Sequence, residues 1–266
     1  MATTTRGSGP RGATASALNF IRDVELPPPP PTGLSLDGAT EPIFTAVKDQ
    51  AVVVGSEVVS FVNGVDEETR KAVSDSSLLA QLVARKRVAD PHDIYGWYQA
   101  YFDVLGTIGW SIQESGFAEY SEGGEGFEVH EAIGKVAAVL LGPAPAALAL
   151  VTTTLDALRS MNSGSPWITI FNRESQRAKA AKFQISLVRK DPAHGLLVEM
   201  MAFGIEAEKQ ITQVLFFKFK EHRATLKHNV GKASLNEAAL KELLPDIRAR
   251  VRKFQRDWIS SLPELD

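Results

Sequence analysis

A stretch of about 20 residues without a single charge, from Val136 to Leu155, constrains the fold of this chain more than any other feature. A run of that length is typical of a membrane-spanning helix. However, Gly142-Pro143-Ala144-Pro145 lies in its middle. Each proline removes a backbone donor and clashes with the preceding turn, which costs about 3 kcal/mol in a helix interior. The stretch therefore predicts two helices joined by a tight corner, not one straight rod.

The two predicted arms run from near Glu128 to Leu141 and from Ala146 to about Ser160. The apolar part of each arm is roughly 9 to 15 Å long at 1.5 Å per residue, whereas a bilayer core is about 30 Å thick. The hairpin could dip into one leaflet but could not span. Because a helix that is apolar on every side must be buried, we expect it either inside the core or sheltered until it meets a membrane or protein partner. The residues expected to make that contact are Val139, Leu140, Leu141, Pro143, Pro145, Leu148, Leu150 and Val151.

The composition excludes several classes of protein. The 266 residues include no cysteine, which rules out disulfides, thiolate catalysis and cysteine-ligated metals. A net charge of −3 creates no field that would attract nucleic acid, so no nucleic-acid partner is expected. The chain has no P-loop, dinucleotide fingerprint or metal-ligand spacing. We therefore expect no metal and no cofactor, and the sequence leans towards a protein without enzymatic activity, although an enzyme built from residues distant in sequence stays an alternative.

Residues 1–40 read as a disordered, proline-rich leader, because five consecutive prolines from Pro27 to Pro31 favour an extended spacer. A short apolar patch with a basic end precedes this spacer, and it could dock into a larger assembly. The patch consists of Leu18, Phe20, Ile21 and Arg22. An apolar signal-peptide core is missing near the N-terminus. We therefore expect a soluble protein made in the cytoplasm, with any export by a non-classical route.

The remaining residues, 41–266, are expected to form a single α+β domain. Its helical part covers 41–160, and its sheet and C-terminal helices cover 166–262. The helical part is predicted to begin with helices over 43–62, 66–87 and 94–110 and to end with the central apolar hairpin. An antiparallel β-meander of three to five strands and two C-terminal helices around Pro245 follow. The predicted strands are 167–171, 183–188, 196–203, 210–220 and 223–230.

An aromatic face on the third predicted helix is the second candidate site. It comprises Trp97, Tyr98, Tyr101 and Trp110. Aromatic residues at this spacing usually pack in a core, but they could also line a pocket for a flat or acyl ligand. The best acid–base cluster is His130 with Glu128 and Glu131, which is a weak signal because such charges are common on helices.

Three functions follow from these features. The first is a non-enzymatic, toxin-like effector that shelters the hairpin and releases it at a membrane. The second is a cargo or binding protein that is held in a larger assembly by its leader. The third is an enzyme or small-ligand binder with a pocket between the Trp97–Trp110 helix and the sheet.

Overall fold

The computed structural model describes residues 10–29, 43–120, 128–142, 144–162, 164–177, 179–208, 210–211, 213–215 and 224–262. The helices are α1 (Pro10–Asp23), α2 (Glu67–Arg87), α3 (Ile94–Thr107), α4 (Val129–Leu141), α5 (Pro145–Ser160), α6 (Pro166–Ser175) and α7 (Glu237–Trp258). The strands are β1 (Gln50–Val54), β2 (Glu57–Phe61), β3 (Trp110–Glu114), β4 (Ala118–Glu119), β5 (Gln176–Arg177), β6 (Ala180–Asp191), β7 (Gly195–Ala207), β8 (Ala224–Leu235) and β9 (Ile259–Ser261).

The fold is a mixed α+β arrangement in which one sheet lies between two layers of helices. Within the described ranges the sheet has nine strands in the order β3-β8-β7-β6-β2-β1-β9, with β4 on β8 and β5 on β6. Strands β2 and β6 run parallel, and the other pairs are antiparallel. The sheet is thus larger than the predicted meander of three to five strands, and it is mixed because β6 returns beside β2 instead of continuing a hairpin.

Alternating side chains divide the core into two halves. Val52 and Val59 face a cluster formed with α1, α2, α3 and α7, whereas Val53 and Val58 face a cluster formed with α4, α5 and α6. Successive residues of a strand point to opposite sides of the sheet, so a strand with valine at consecutive positions is covered on both faces. The apolar hairpin therefore shares a layer with α6, on the opposite side of the sheet from the aromatic helix α3.

The predicted helix over 43–62 is wrong, because these residues contain the β1–β2 hairpin. Its valines occur at spacings that suit a helical face, but β-branched side chains favour strands. A two-residue turn at Gly55 and Ser56 joins Val54 to its partner Glu57. Gly55 has φ of 56°, a left-handed conformation that glycine adopts without a steric penalty.

The helices predicted over 66–87 and 94–110 correspond to α2 and α3. The side chain of Asp66 accepts from Thr69 N at 2.9 Å and caps α2. Asp93 caps α3 in the same way through Gly96 N. Helix α3 ends before Trp110, which is the first residue of β3.

The predictions of strands at 167–171 and 210–220 are wrong for those of their residues that the structure describes. Residues 167–171 lie in helix α6, which starts with Pro166 at its first turn, a position where proline loses no helical hydrogen bond. Residues 210–211 and 213–215 are outside any strand, and 216–220 lie outside the described residues. The segments 183–188 and 196–203 lie within β6 and β7, and the described part of 223–230 lies within β8.

The C-terminal region forms one helix instead of two. Pro245 lies inside α7, which begins at Glu237 and continues to Trp258. Asn236 caps this helix by accepting from Ala238 N and Ala239 N. A buried stripe that includes Ile247 and Val251 holds α7 on the rest of the helical layer, and tertiary packing of this kind can override the local effect of a proline.

Candidate functional site

The apolar hairpin, α4 and α5, is two helices joined at a corner, as the prolines predict. Helix α4 begins with a capping box between Glu128 and Glu131, so both glutamates of the proposed acid–base cluster bond to the start of the helix. Helix α5 begins with Pro145. Pro143 lies outside the described residues. With 13 and 16 residues, the helices are about 20 and 24 Å long.

The inner face of the apolar hairpin covers the sheet. Leu141, Leu150 and Val151 are buried there, so these three of the predicted contact residues belong to the core. A buried side-chain hydrogen bond joins this face to the sheet, between Ser60 Oγ of β2 and Thr154 Oγ1 of α5 at 3.1 Å. The buried residues of the two helices are Val129, Ala132, Ile133, Val136, Ala137, Leu141, Ala147, Leu150, Val151, Thr154, Leu155 and Leu158.

The outer face of the apolar hairpin is exposed and uncharged. Val139 is 86% exposed, a level that among the described large apolar residues only Ile43 and Val47 also reach. The hydroxyl of Thr152 donates to Leu148 O at 3.0 Å, so this polar group is satisfied inside the helix. The exposed residues are Ala138, Val139, Gly142, Pro145, Ala146, Ala149 and Thr152, and Leu140, Ala144, Leu148 and Thr153 are half-buried. Charged side chains return at the base of the hairpin, at Glu131, Lys135, Asp156 and Arg159.

The leader patch is docked on the chain itself. Helix α1 packs on α7, where Ile21 is fully buried and Leu18 and Phe20 are half-buried. Arg22 Nε pairs with Asp246 Oδ1 at 2.7 Å. The prediction of a disordered leader is thus wrong for residues 10–23, which are helical, while residues 1–9 and 30–40 lie outside the described residues. Docking of this patch into another assembly would require α1 to leave α7.

Three of the four aromatic residues of the second candidate site pack against one another. The Trp97 ring lies 5.2 Å from the Tyr98 ring and is stacked on the Tyr101 ring at 5.3 Å. Trp97 lines a cavity of about 230 Å³ near the β1–β2 turn. Trp110 lines a different cavity, of about 280 Å³, beneath α1. Tyr98 and Tyr101 are fully buried. The hydroxyl of Tyr98 donates to Phe183 O at 2.6 Å and to Phe203 O at 3.1 Å, so it fastens α3 to β6 and β7.

A buried carboxyl group that sequence reasoning missed lies under the aromatic helix. Glu57 on β2 is 4% exposed, and its oxygens accept hydrogen bonds from Ser77 Oγ, Tyr101 OH, Ser186 Oγ and Gln184 Nε2. Burial raises the pKa of Glu57 above its ordinary value, and the four donors lower it by less. The only signal in the sequence is an acidic residue directly after the Gly55-Ser56 turn in an otherwise apolar strand.

No group of three or more histidine or acidic side chains could hold a metal ion in the part of the chain that the structure describes. None of the described helices has both the length and the apolar character needed to cross a bilayer.

Comparison with known proteins gives no family. No family model matches the chain, and no curated protein matches it. Several solved structures are similar at a low level, among them the following three. A delta-endotoxin has 14% identity and a TM-score of 0.34, covering 74% of this chain and 87% of its own. The activated Cyt2Ba monomer from Bacillus thuringiensis subsp. israelensis has 13% identity and a TM-score of 0.30, and the match covers 68% of this chain and 98% of that monomer. The Evf virulence factor has 8% identity and a TM-score of 0.32, and the match covers 81% of this chain and 85% of that protein. TM-scores this low do not establish a shared fold.

Proposed function

We propose that this protein is a non-enzymatic, toxin-like effector that engages a lipid membrane through the apolar hairpin. The observation that carries the proposal is the two-sided character of that hairpin. Its inner face is buried against the sheet, and its outer face exposes Val139 and a run of small apolar residues with no charge between Lys135 and Asp156. An exposed apolar surface of this kind is typical of an interaction site.

The chemistry of the outer face favours lipid over a protein partner. Protein interfaces obtain most of their binding energy from tryptophan, tyrosine and arginine anchors. The exposed and half-buried residues of the hairpin tip are alanine, valine, leucine, glycine, proline and threonine, which offer no such anchor. A surface without charges or directional polar groups suits an environment that is itself apolar and unspecific, such as the acyl region of one leaflet.

Membrane engagement would take place in two steps, docking of the outer face and then release of the hairpin from the sheet, and the two steps expose different surfaces. Docking of the outer face leaves the core intact, because Val139 and its neighbours already face solvent. Release of the whole hairpin would expose buried valine, leucine and isoleucine side chains, each of which stabilises the core by about 1.5–3 kcal/mol. Lipid can take up the same apolar surface, so release is expected only once the outer face is in contact with the membrane.

The test compares two valines of equal exposure. Val139→Asp places a carboxylate on the outer face, and Val47→Asp places one on a valine that is 87% exposed outside the hairpin. A carboxylate within an apolar membrane region costs about 2.5–3.5 kcal/mol, so we expect Val139→Asp to weaken binding to phosphatidylcholine vesicles at least tenfold and to abolish dye leakage. Val47→Asp should behave as wild type, and both variants should melt normally because neither side chain is in the core.

The outcomes separate the proposal from its rivals. Equal binding and leakage by wild type and Val139→Asp, or no vesicle binding by either, would remove the membrane hypothesis. Loss of a co-purifying protein in Val139→Asp without any vesicle binding by wild type would instead assign the outer face to a protein assembly.

A further inference from the structure

The cavity at the β1–β2 turn, which we call the turn cavity, lies apart from the outer face of the apolar hairpin. The connection between α2 and α3 contributes the largest part of its lining, and α2, α3, the β1–β2 turn and the end of α7 contribute further residues. Lys182 of β6 and Glu174 of α6 complete it. Its volume of about 230 Å³ is below the range of about 300–1,000 Å³ typical of sites for drug-sized ligands. The cavity is therefore suited to a compact ligand.

The floor of the turn cavity is polar and rigid. Ser56 and Gln81 line it, and they are 3% and 2% exposed. Gln81 Oε1 accepts from Ser56 N at 3.0 Å, and Gln81 Nε2 donates to Val54 O at 2.7 Å. These bonds fix the amide of Gln81 against the turn. A floor of buried polar groups with fixed positions is typical of a ligand site, whereas gaps in a core are lined by apolar side chains.

The walls of the turn cavity pair tryptophans with cations. Lys182 Nζ lies 4.6 Å from the centre of the Trp97 ring, and Lys182 is 6% exposed. The guanidinium carbon of Arg85 lies 5.4 Å from the centre of the Trp258 ring. These contacts hold both cationic groups in place, because a cation over an indole face is attracted by the ring.

Three acidic side chains of the described residues line the turn cavity, and each accepts hydrogen bonds from the chain. Glu174 pairs with Arg85 Nη1 at 2.9 Å and with Arg173 Nε at 2.6 Å. Asp93 accepts from Gly96 N, and Asp90 Oδ1 accepts from His92 N. Arg85, by contrast, uses only Nη1 for hydrogen bonds within the described residues. Its remaining N–H groups are half-exposed donors that a carboxylate or phosphate could accept from.

We propose that the turn cavity binds a small organic anion, in which a carboxylate or phosphate group is attached to a compact aromatic or aliphatic body. The anionic group would accept from Arg85 and Lys182, and the body would pack against the parts of Trp97 and Trp258 that line the cavity and that the two cations do not cover. This site is independent of membrane engagement, because none of its lining residues lies on the apolar hairpin. Binding of soluble ligands therefore tests this site separately from membrane engagement.

The experiment titrates the 266-residue chain with three probes of similar size. Benzoate and phenyl phosphate carry the two anionic groups, and benzyl alcohol is the neutral match. Trp97 and Trp258 line the cavity, so tryptophan fluorescence reports occupancy, and calorimetry gives the affinity. We expect saturable binding of at least one anionic probe and at least tenfold weaker binding of benzyl alcohol. The stronger anion identifies the acid group of the natural ligand.

Substitutions of the lining cations test whether the anionic probe binds in the turn cavity. Arg85→Met and Lys182→Met should each lower the affinity for the anionic probe at least tenfold. Lys253→Met removes an exposed charge from α7 and should leave that affinity unchanged. Arg85→Lys keeps the charge but loses the planar donors, and an intermediate affinity is expected. If Lys182→Met does not fold, the two Arg85 variants carry the test. The proposal is overturned if no anionic probe binds to the wild type, if benzyl alcohol binds equally well, or if the Arg85 variants bind like the wild type.

Discussion

The hydroxyl oxygens of Ser60 and Thr154 lie 3.1 Å apart in the buried interface between β2 and α5. Thr154 Oγ1 also lies 2.8 Å from Leu150 O of its own helix. A neutral hydrogen bond of this kind contributes about 0.5–1.5 kcal/mol, so it can be broken without a large energetic barrier of its own. It therefore marks a point at which movement of the apolar hairpin can be controlled experimentally.

The first prediction concerns a covalent lock at that point. The chain has no cysteine, so Ser60→Cys with Thr154→Cys introduces the only pair. The 3.1 Å between the two hydroxyl oxygens makes these positions the choice for a disulfide, in which the sulfurs lie about 2.0 Å apart. If the hairpin leaves the sheet during leakage, the oxidised variant should bind vesicles through its outer face but release no dye, and a reductant should restore release. The two single-cysteine variants should not respond to redox conditions. Full leakage by the oxidised form would show that the hairpin stays on the sheet.

The second prediction concerns pH and the buried Glu57. Because the folded-state pKa of Glu57 is raised by burial, its contribution to stability is present below the unfolded pKa and is lost as pH rises through the folded pKa. Glu57→Gln does not titrate. The difference in melting temperature between Glu57→Gln and wild type should therefore grow in favour of the variant from about pH 4 to pH 8.

The surrounding network can accommodate that amide. Gln184 Oε1 is buried and has no hydrogen-bond partner within the described residues, so a flipped Gln184 could accept from the new amide. A variant that is less stable than wild type by the same amount at every pH would mean that the four donors hold Glu57 as an ionised carboxylate without penalty.

The third prediction separates two effects of a left-handed glycine. A Cβ at Gly55 would lie 2.9 Å from Trp258 Cε3 and still closer to Gln81 Oε1, whereas a Cβ at Gly64 would meet nothing within 4 Å. Both residues have positive φ, 56° and 83°. Gly64→Ala should therefore lower the free energy of unfolding by about 1 kcal/mol through the backbone strain alone. Gly55→Ala should lower it by roughly 2–3 kcal/mol in total, because the close contacts of the new Cβ add to that strain. Equal losses in chemical denaturation would mean that the Trp258 contact relaxes freely.

The fourth prediction concerns α1. Ile21 is fully buried against the helical layer, so Ile21→Ala should lower stability by about 2–4 kcal/mol, which corresponds to a melting temperature lower by roughly 5–15 °C. Asn19→Ala, on the exposed side of the same helix, should change it little. An unchanged melting temperature in Ile21→Ala would restore the hypothesis that this patch is reserved for another assembly.

The apolar hairpin was predictable because its signals are local. Two prolines forbid a continuous helix wherever they lie, and the lack of charge from Val136 to Leu155 requires cover in any fold. The first strands were not predictable in this way, because Val47, Val54, Val58 and Val62 fit the spacing of a helix as well as that of a strand. Which residues of the hairpin are inside also depended on the sheet, since Leu150 is buried and Val139 is not.

The sequence by itself determined that the chain has helical elements, a sheet and a proline-cornered pair of apolar helices, because propensity, capping and proline geometry act over a few neighbouring residues. Only the tertiary structure decided that β2 lies beside β6, 127 residues apart at Glu57 and Gln184. That pairing brings the β6 donors Gln184 and Ser186 to Glu57. The packing of α2 and α3 on the same sheet adds Ser77 and Tyr101. Contacts between residues so distant in the chain depend on the packing of the whole molecule, and no local pattern records them.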